Sequence, residues 1–270
     1  MQYKQYAVPA SLKTWIRYFW SFDSYAAESQ PLHVRSFADY FPRLIFQDVQ
    51  SFSSIKSAEG CVMPMCYLSG LDTKPSDAFW DNNFSHFGIS FFPHALHSFF
   101  GINAAELTNQ TPDIRLFDHS GISNILQEAG NHEKRVEAMC TYFYNKILDR
   151  NPDQVINDLF HHSFHQLVNN KNLTPLVRHY AVSERQLQRR FKVNVGVSVS
   201  KFNRIVRFEK SLKMLPAVSY GELTALAYEL GYTDQAHFIN DFKLFSGLSP
   251  YQFIKTEPLS SENASFIYAQ

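Results

Sequence analysis

The sequence predicts an α+β protein, with a β-rich N-terminal part followed by an all-α C-terminal part. Three observations predict this. Between Leu12 and about Leu116, short aromatic and β-branched runs alternate with Pro, Gly, Ser and Asp clusters. From Ile122 onward the apolar spacing becomes helical. Near the C-terminus, residues 226–253 read as helix, tight turn, helix, stop. There Gly231 breaks one apolar segment, Thr233 or Asp234 can cap the next, and Gly247 ends it before Ser249-Pro250.

The strand-like runs are WIRYFWSF, RLIFQDV, CYLSGL and HFGISFF, a spacing that suits a small barrel or sandwich. Pro93-His94-Ala95-Leu96 opens a short helical stretch toward Phe100, and Ala104 to Leu107 looks like another turn of helix. Ile122, Ile125, Leu126, Val136, Met139, Phe143 and Ile147 then predict helices at 121–129 and 132–149, broken at Gly130-Asn131. Arg150-Asn151-Pro152-Asp153 is the best boundary, because proline disfavours a continuous helix and suits the first turn of a new one. The domains are therefore expected at 1–150 and 153–257, with a tail at 258–270. Helices are expected at 153–168, 173–180, 184–192, 199–215, 220–230, 234–245 and 250–256. The tail is polar and reads as loose, although Phe266, Ile267 and Tyr268 could dock.

An apolar share of 45% is that of a core-forming chain, and 270 residues suffice for two domains. There is no apolar run of eighteen or more, and the N-terminus lacks the pattern of a signal peptide. Cys61, Cys66 and Cys140 are an odd number without framework spacing. Free thiols and a cytoplasmic location are the simplest expectation, without a membrane. The zero net charge hides a split: residues 1–152 hold 12 Lys+Arg against 15 Asp+Glu, and residues 153–257 hold 13 against 9. A mildly basic C-terminal part suits a nucleic-acid module attached to something else.

The helix–turn–helix pattern occurs twice. In NLTPLVRHYAVSERQLQRRF, Leu173, Leu176, Val177 and Tyr180 give the first helix its apolar face. Val182-Ser183 makes the turn with Ser183 as N-cap, and Leu187 and Phe191 point inward from the second helix. In the later copy the corresponding inward residues are Leu223, Leu226, Ala227 and Leu230, then Phe238 and Phe242. Small Ala181 and Ala227 are expected to let the helices approach closely. A helix near 199–215 would span roughly 25 Å at about 1.5 Å per residue. That suits a spacer between two units reading major-groove turns about 34 Å apart.

These residues resemble the DNA-binding domain of AraC/XylS-type bacterial transcriptional regulators. VSERQLQRRFKVNVGVSVSKFNRIVRF is similar to their first unit and the start of the linking helix, and LAYELGYTDQAHFINDFKLFSGLSPYQF to their second. The resemblance implies base-facing Arg185, Gln188 and Arg189 on the first recognition helix, and Gln235, Ala236, His237 and Asn240 on the second. Arg pairs with guanine O6/N7, and Gln with adenine N6/N7. Arg190, Lys192, Lys201, Arg204 and Lys243 are candidate phosphate contacts. Asn240 and Ile254 stand where the family commonly has Arg, and Asp241 adds a negative charge beside Asn240. The second unit is therefore expected to hold phosphate less firmly. Arg207 reads as a structural ion pair, and Glu184 as a first-turn residue that complements the helix dipole.

In the same family the N-terminal domain is usually a small β-barrel, cupin-like, that binds an effector or dimerises. Pro9 to Trp20 and HFGISFFPHALHSFFGINAAELTNQTPDI look like such sensor domains. Trp15, Trp20, Phe46, Tyr67, Phe87 and Phe91 either line an apolar pocket or fill the core. His94 with His97, and His161 with His165, lie at helical spacing without neighbouring ligands, so they read as solvated or capping residues rather than a metal site. Charged Glu133, Lys134, Arg135 and Glu137 border an apolar stripe on the helices around 121–149, which packs on its own barrel or forms a dimer interface. No phosphate loop, nucleophile elbow or HExxH motif is present, so neither an enzyme nor a cofactor is expected. The implied partners are double-stranded DNA and a small apolar effector, with room for RNA polymerase and a second copy. The alternative is a ligand-binding protein whose helical module contacts another protein.

Overall fold

The computed structural model describes residues 1–25, 31–48, 55–149, 152–162, 178–217, 222–256 and 266–268. The first sheet contains β1 (Gln2–Tyr6), β2 (Ile16–Tyr25), β4 (Arg43–Gln47), β6 (Cys66–Ser69) and β8 (Asn83–Phe91). Its order is β1-β2-β8-β4-β6, antiparallel throughout. The strand-like runs of the sequence supply β2, β4, β6 and β8, because alternating aromatic and aliphatic residues can bury one face of a pleated sheet; β1 precedes the stretch read as strand-like. Phe19, Leu44, Phe46, Leu68, Phe87, Ile89 and Phe91 form that face. They pack against α1 (Ala95–Phe100), α2 (Ile122–Glu128) and α3 (His132–Leu148) through Phe99, Leu126, Met139 and Phe143. Both helices expected between 121 and 149 are present, and Asn131 caps α3 by accepting from the Lys134 amide.

The second sheet runs β5-β7-β3-β9. It contains β3 (Leu32–Ser36), β5 (Lys56–Ser57), β7 (Ser76–Trp80) and β9 (Phe266–Tyr268). The two sheets face one another as an open, barrel-like sandwich rather than a closed barrel, joined by packing of Phe22 and Phe84 against Val34. Between the strands, Trp20 lies opposite Gly88, and a Cβ at residue 88 would fall 2.1 Å from the indole ring. Only glycine admits that approach.

The C-terminal part consists of α4 (Gln154–His162), α5 (Glu184–Val195), α6 (Val199–Met214), α7 (Leu223–Glu229), α8 (Gln235–Ser246) and α9 (Pro250–Ile254). These elements follow the expected helices with shifts of a few residues, except that residues 163–168 of the expected 153–168 and 220–221 of the expected 220–230 lie outside the described residues. Most of the expected helix 173–180 lies outside the described residues, and so do Leu173, Leu176, Val177 and His165. No described helix is long and apolar enough to cross a membrane.

Two features differ from the sequence expectation. The tail contributes β9, which pairs antiparallel with β3 at Val34↔Tyr268, Arg35↔Ile267 and Ser36↔Phe266. The second is a single core that contains residues of both parts of the chain. Phe37, Ala38, Tyr40, Phe41 and Leu71 lie in one cluster with Phe202, Ile205 and Phe208 of α6 and Phe242 and Phe245 of α8. The Ala38 amide donates to the Phe245 carbonyl at 2.9 Å, and buried Tyr40 bonds to the Glu209 carboxylate. His94 is buried rather than solvated. Its Nε2 lies 3.3 Å from Asn157 Oδ1 on α4, its ring stacks on Phe160, and burial drives its pKa down to about 3.

Candidate nucleic-acid interface and the N-terminal cavity

The first recognition helix, α5, starts at a reciprocal capping box. Ser183 accepts from the Gln186 amide at 3.2 Å, and the Gln186 side chain accepts from the Ser183 amide at 2.7 Å. Leu187, Phe191 and Val195 are buried, which fixes the helix rotation. The opposite face then carries Arg185, Gln188, Arg189 and Lys192, all exposed at helical spacing. Ahead of the helix, Ala181 holds a left-handed φ of 48°. Ala181 is exposed, so it does not serve close helix packing as expected; it makes the turn. Ala227, by contrast, is fully buried.

The second recognition helix, α8, is capped by Asp234, which accepts from the His237 amide at 2.7 Å. Phe238 and Phe242 are fully buried, and Gly247 closes the helix with a φ of 74°. Ala236, Asn240 and Lys243 are exposed, whereas Gln235 and His237 are half-exposed. Thr224 of α7 donates to Gln235 Oε1 at 2.7 Å, and Thr233 lies 3.4 Å from His237 Nδ1. Gln235 is therefore held with its amide nitrogen free to donate. Behind α8, Ser249 and Gln252 form a second capping box with Pro250 in the first turn of α9.

Three of the candidate phosphate contacts are engaged inside the protein. Arg204 grips Asp241 with two bonds, at 2.6 and 3.2 Å, and Asp241 is only 3% exposed. Asp241 thus faces the core with its charge paired to Arg204, rather than lying exposed beside Asn240 as expected. Arg190 pairs with Asp153 at 3.3 Å. Lys201 sits 4.8 Å over the Phe245 ring, and burial lowers its pKa. Lys192 and Lys243 point to solvent. Arg207 is structural, though not through a carboxylate: it donates to the Gly231 carbonyl at 2.8 Å and covers the Tyr232 ring.

In the N-terminal part, a cavity of about 450 Å³ opens between the two sheets. Of the aromatic residues singled out from sequence, Tyr67 lines it. Phe46, Phe87 and Phe91 are in the core under the helices, Trp15 packs beside Phe99, and Trp20 stacks on Tyr3. The cavity residues that sequence reasoning missed include Trp80, Arg43 and Asp72. Arg43 makes a buried ion pair with Asp39. Burial, reinforced by Asp39 and opposed by Arg43, raises the Asp72 pKa to about 7. Cys66 is buried, its thiol pushed up to about 12 by that burial, while Cys61 is exposed. Among the described residues, no group of three or more His, Cys, Asp or Glu side chains could hold a metal ion.

Comparison with known proteins separates the two parts. Residues 4–113 match a family described as "Domain of unknown function (DUF6597)". Residues 176–256 match the family described as "Helix-turn-helix domain". No curated protein matches the chain. Among solved structures, ToxT from Vibrio cholerae O395 is similar at 11% identity and a TM-score of 0.42, over 84% of this chain and 96% of that one. ToxT of strain SCE256 with a bound unsaturated fatty acid aligns at 10% identity and a TM-score of 0.41, over 87% and 93%. The xylose-binding transcription activator XylR aligns at 15% identity and a TM-score of 0.31, over 44% and 38%. At these scores the likeness adds nothing to what the domain match and the two capped helices carry. The match over residues 176–256, with the two capped helices and the helix between them, makes the C-terminal part a helix–turn–helix domain.

Proposed function

We propose that the chain is a sequence-specific DNA-binding transcriptional regulator of the AraC/XylS type, with α5 and α8 entering two adjacent major-groove segments under control of a small molecule held by the N-terminal part. The observation that carries this is the pairing of two capped helices, each with buried apolar side chains on one side and exposed polar side chains on the other, with α6 between them. Arg185, Gln188 and Arg189 form the stronger reading surface, since all three are exposed and lie beside exposed Lys192. The second unit offers Gln235, Ala236, His237 and Asn240 with Lys243 nearby. RNA polymerase and a second copy of the chain are further partners in this reading.

A mobility-shift or footprinting assay on the chain's own promoter region tests it. Specific protection that weakens steeply with salt is expected, because phosphate contacts release counterions. Arg189→Ala should weaken specific binding by about 1–3 kcal/mol, the worth of one bidentate base contact. A chain that protects no site at low salt is not this regulator, and would instead fit a helical module built for protein contact.

A further inference from the structure

The cavity between the sheets has a composition that selects among ligands. Its apolar walls include Val34, Ile45, Met63 and the Trp80 ring. Against them stands a compact polar group of Arg43, Tyr67 and Asp72, close enough for their charges to act on one another. Tyr67 is 4% exposed and lines this space. Among the described residues, no group bonds to the Tyr67 hydroxyl or the Asp72 carboxylate. Both groups line the cavity, Asp72 half-buried, so a ligand that fills it must supply partners to them in place of water.

The charges then narrow the ligand. The Arg43 guanidinium is already neutralised by Asp39, so at this polar group an anion would meet the Asp72 carboxylate without gaining a free cation; Lys74, the other cation of the lining, is exposed and lies near the exposed Glu59 carboxylate. An ammonium group would pair with Asp72 but sit beside Arg43. A hydroxyl escapes both conflicts, since one oxygen donates to Asp72 and accepts from Tyr67 or Arg43. Four serines around the cavity, Ser36, Ser57, Ser69 and Ser76, offer further hydroxyl partners. A volume of about 450 Å³ is that of a small-molecule site.

The geometry points to an uncharged ligand with an apolar body and a hydroxyl-bearing head, seated between the sheets with the head on Asp72 and Tyr67. This rests on reading the N-terminal part as an effector domain, and it adds the chemistry of the effector.

Three probes sharing one carbon skeleton separate the alternatives: a vicinal hexanediol, hexanoate and hexylammonium. Each is titrated into the full chain, following thermal unfolding and tryptophan fluorescence, since Trp80 lines the cavity. The diol should raise the unfolding temperature and bind at least about tenfold more tightly than either charged probe, a gap of about 1.4 kcal/mol. Asp72→Asn and Tyr67→Phe should each weaken the diol several-fold while unfolding near the parent temperature without ligand. Should one variant fail to fold, the other still decides. Equal or tighter binding of hexanoate or hexylammonium overturns the inference, as does a diol that produces no shift or one that binds Asp72→Asn unchanged. A mobility shift on the promoter is run in parallel. DNA binding that persists while the diol fails sinks this inference alone, whereas loss of DNA binding sinks the reading beneath it.

Discussion

The turns of the two helix–turn–helix units solve the same steric problem with different residues. Gly231 has a φ of 77° at the second turn and Ala181 has 48° at the first. A left-handed conformation costs an L-residue roughly 1–2 kcal/mol, part of which glycine returns as unfolded-chain entropy. Ala181→Gly should therefore stabilise the protein by about 0.5–1 kcal/mol, and Gly231→Ala should destabilise it by a similar amount. A Cβ at residue 231 would meet nothing within 4 Å, so the second change isolates the backbone effect. Urea unfolding measures both, and opposite signs are required. The glycine at 231 was legible in the sequence because it interrupts an apolar run. The alanine was read as a packing residue because its size, unlike its dihedral angles, is written in its name.

At the scale of elements, α6 and α8 are joined by Arg204 and Asp241, and the pair accounts for much of the weak point in the sequence reading. Asp241 is buried beside the aromatic side of α8 formed by Phe238, Phe242 and Phe245. Its spacing from Phe238 already places it inward, a signal outweighed by its charge and its neighbour Asn240. Removing Arg204 would leave a buried carboxylate without its cation. Because Arg204 is itself partly exposed, Arg204→Ala should destabilise folding by roughly 2–3 kcal/mol, at the lower edge of what broken buried pairs cost. If Arg204 contacted phosphate instead, the same variant would leave the unfolding midpoint unchanged and flatten the salt dependence of DNA binding. The N-cap at Ser183 was legible for the opposite reason, because it is a local feature, and local spacing is what a sequence displays directly; the reciprocal boxes with Gln186 and at Ser249 emerged only with the structure.

For the whole molecule, the sequence division near residue 150 is not a division of the core. The run from Phe37 to Phe41 looks like a connection between strands, and nothing in its composition names α6 as its partner. An interface this apolar couples parts that would otherwise move independently. Calorimetry on the full chain should show one cooperative unfolding transition, and two separated transitions would contradict the shared core. Long-range pairing hid β9 in the same way: three residues with strand character in a polar tail do not reveal where they dock. The described helices and their faces were legible, while the cavity was not, because it is bounded by residues from both sheets and several loops.

The return of residues 266–268 to β3 sets an order on biosynthesis. The partners are roughly 230 residues apart in the chain, so the second sheet gains its last strand only after the helix–turn–helix units have been made. Until then β3 keeps an unpaired edge, and Phe37 and Phe41 await α6. A fragment ending near residue 150, the natural choice for ligand work, would keep both exposures permanently and carry an open β edge beside an apolar patch, the usual starting point of aggregation.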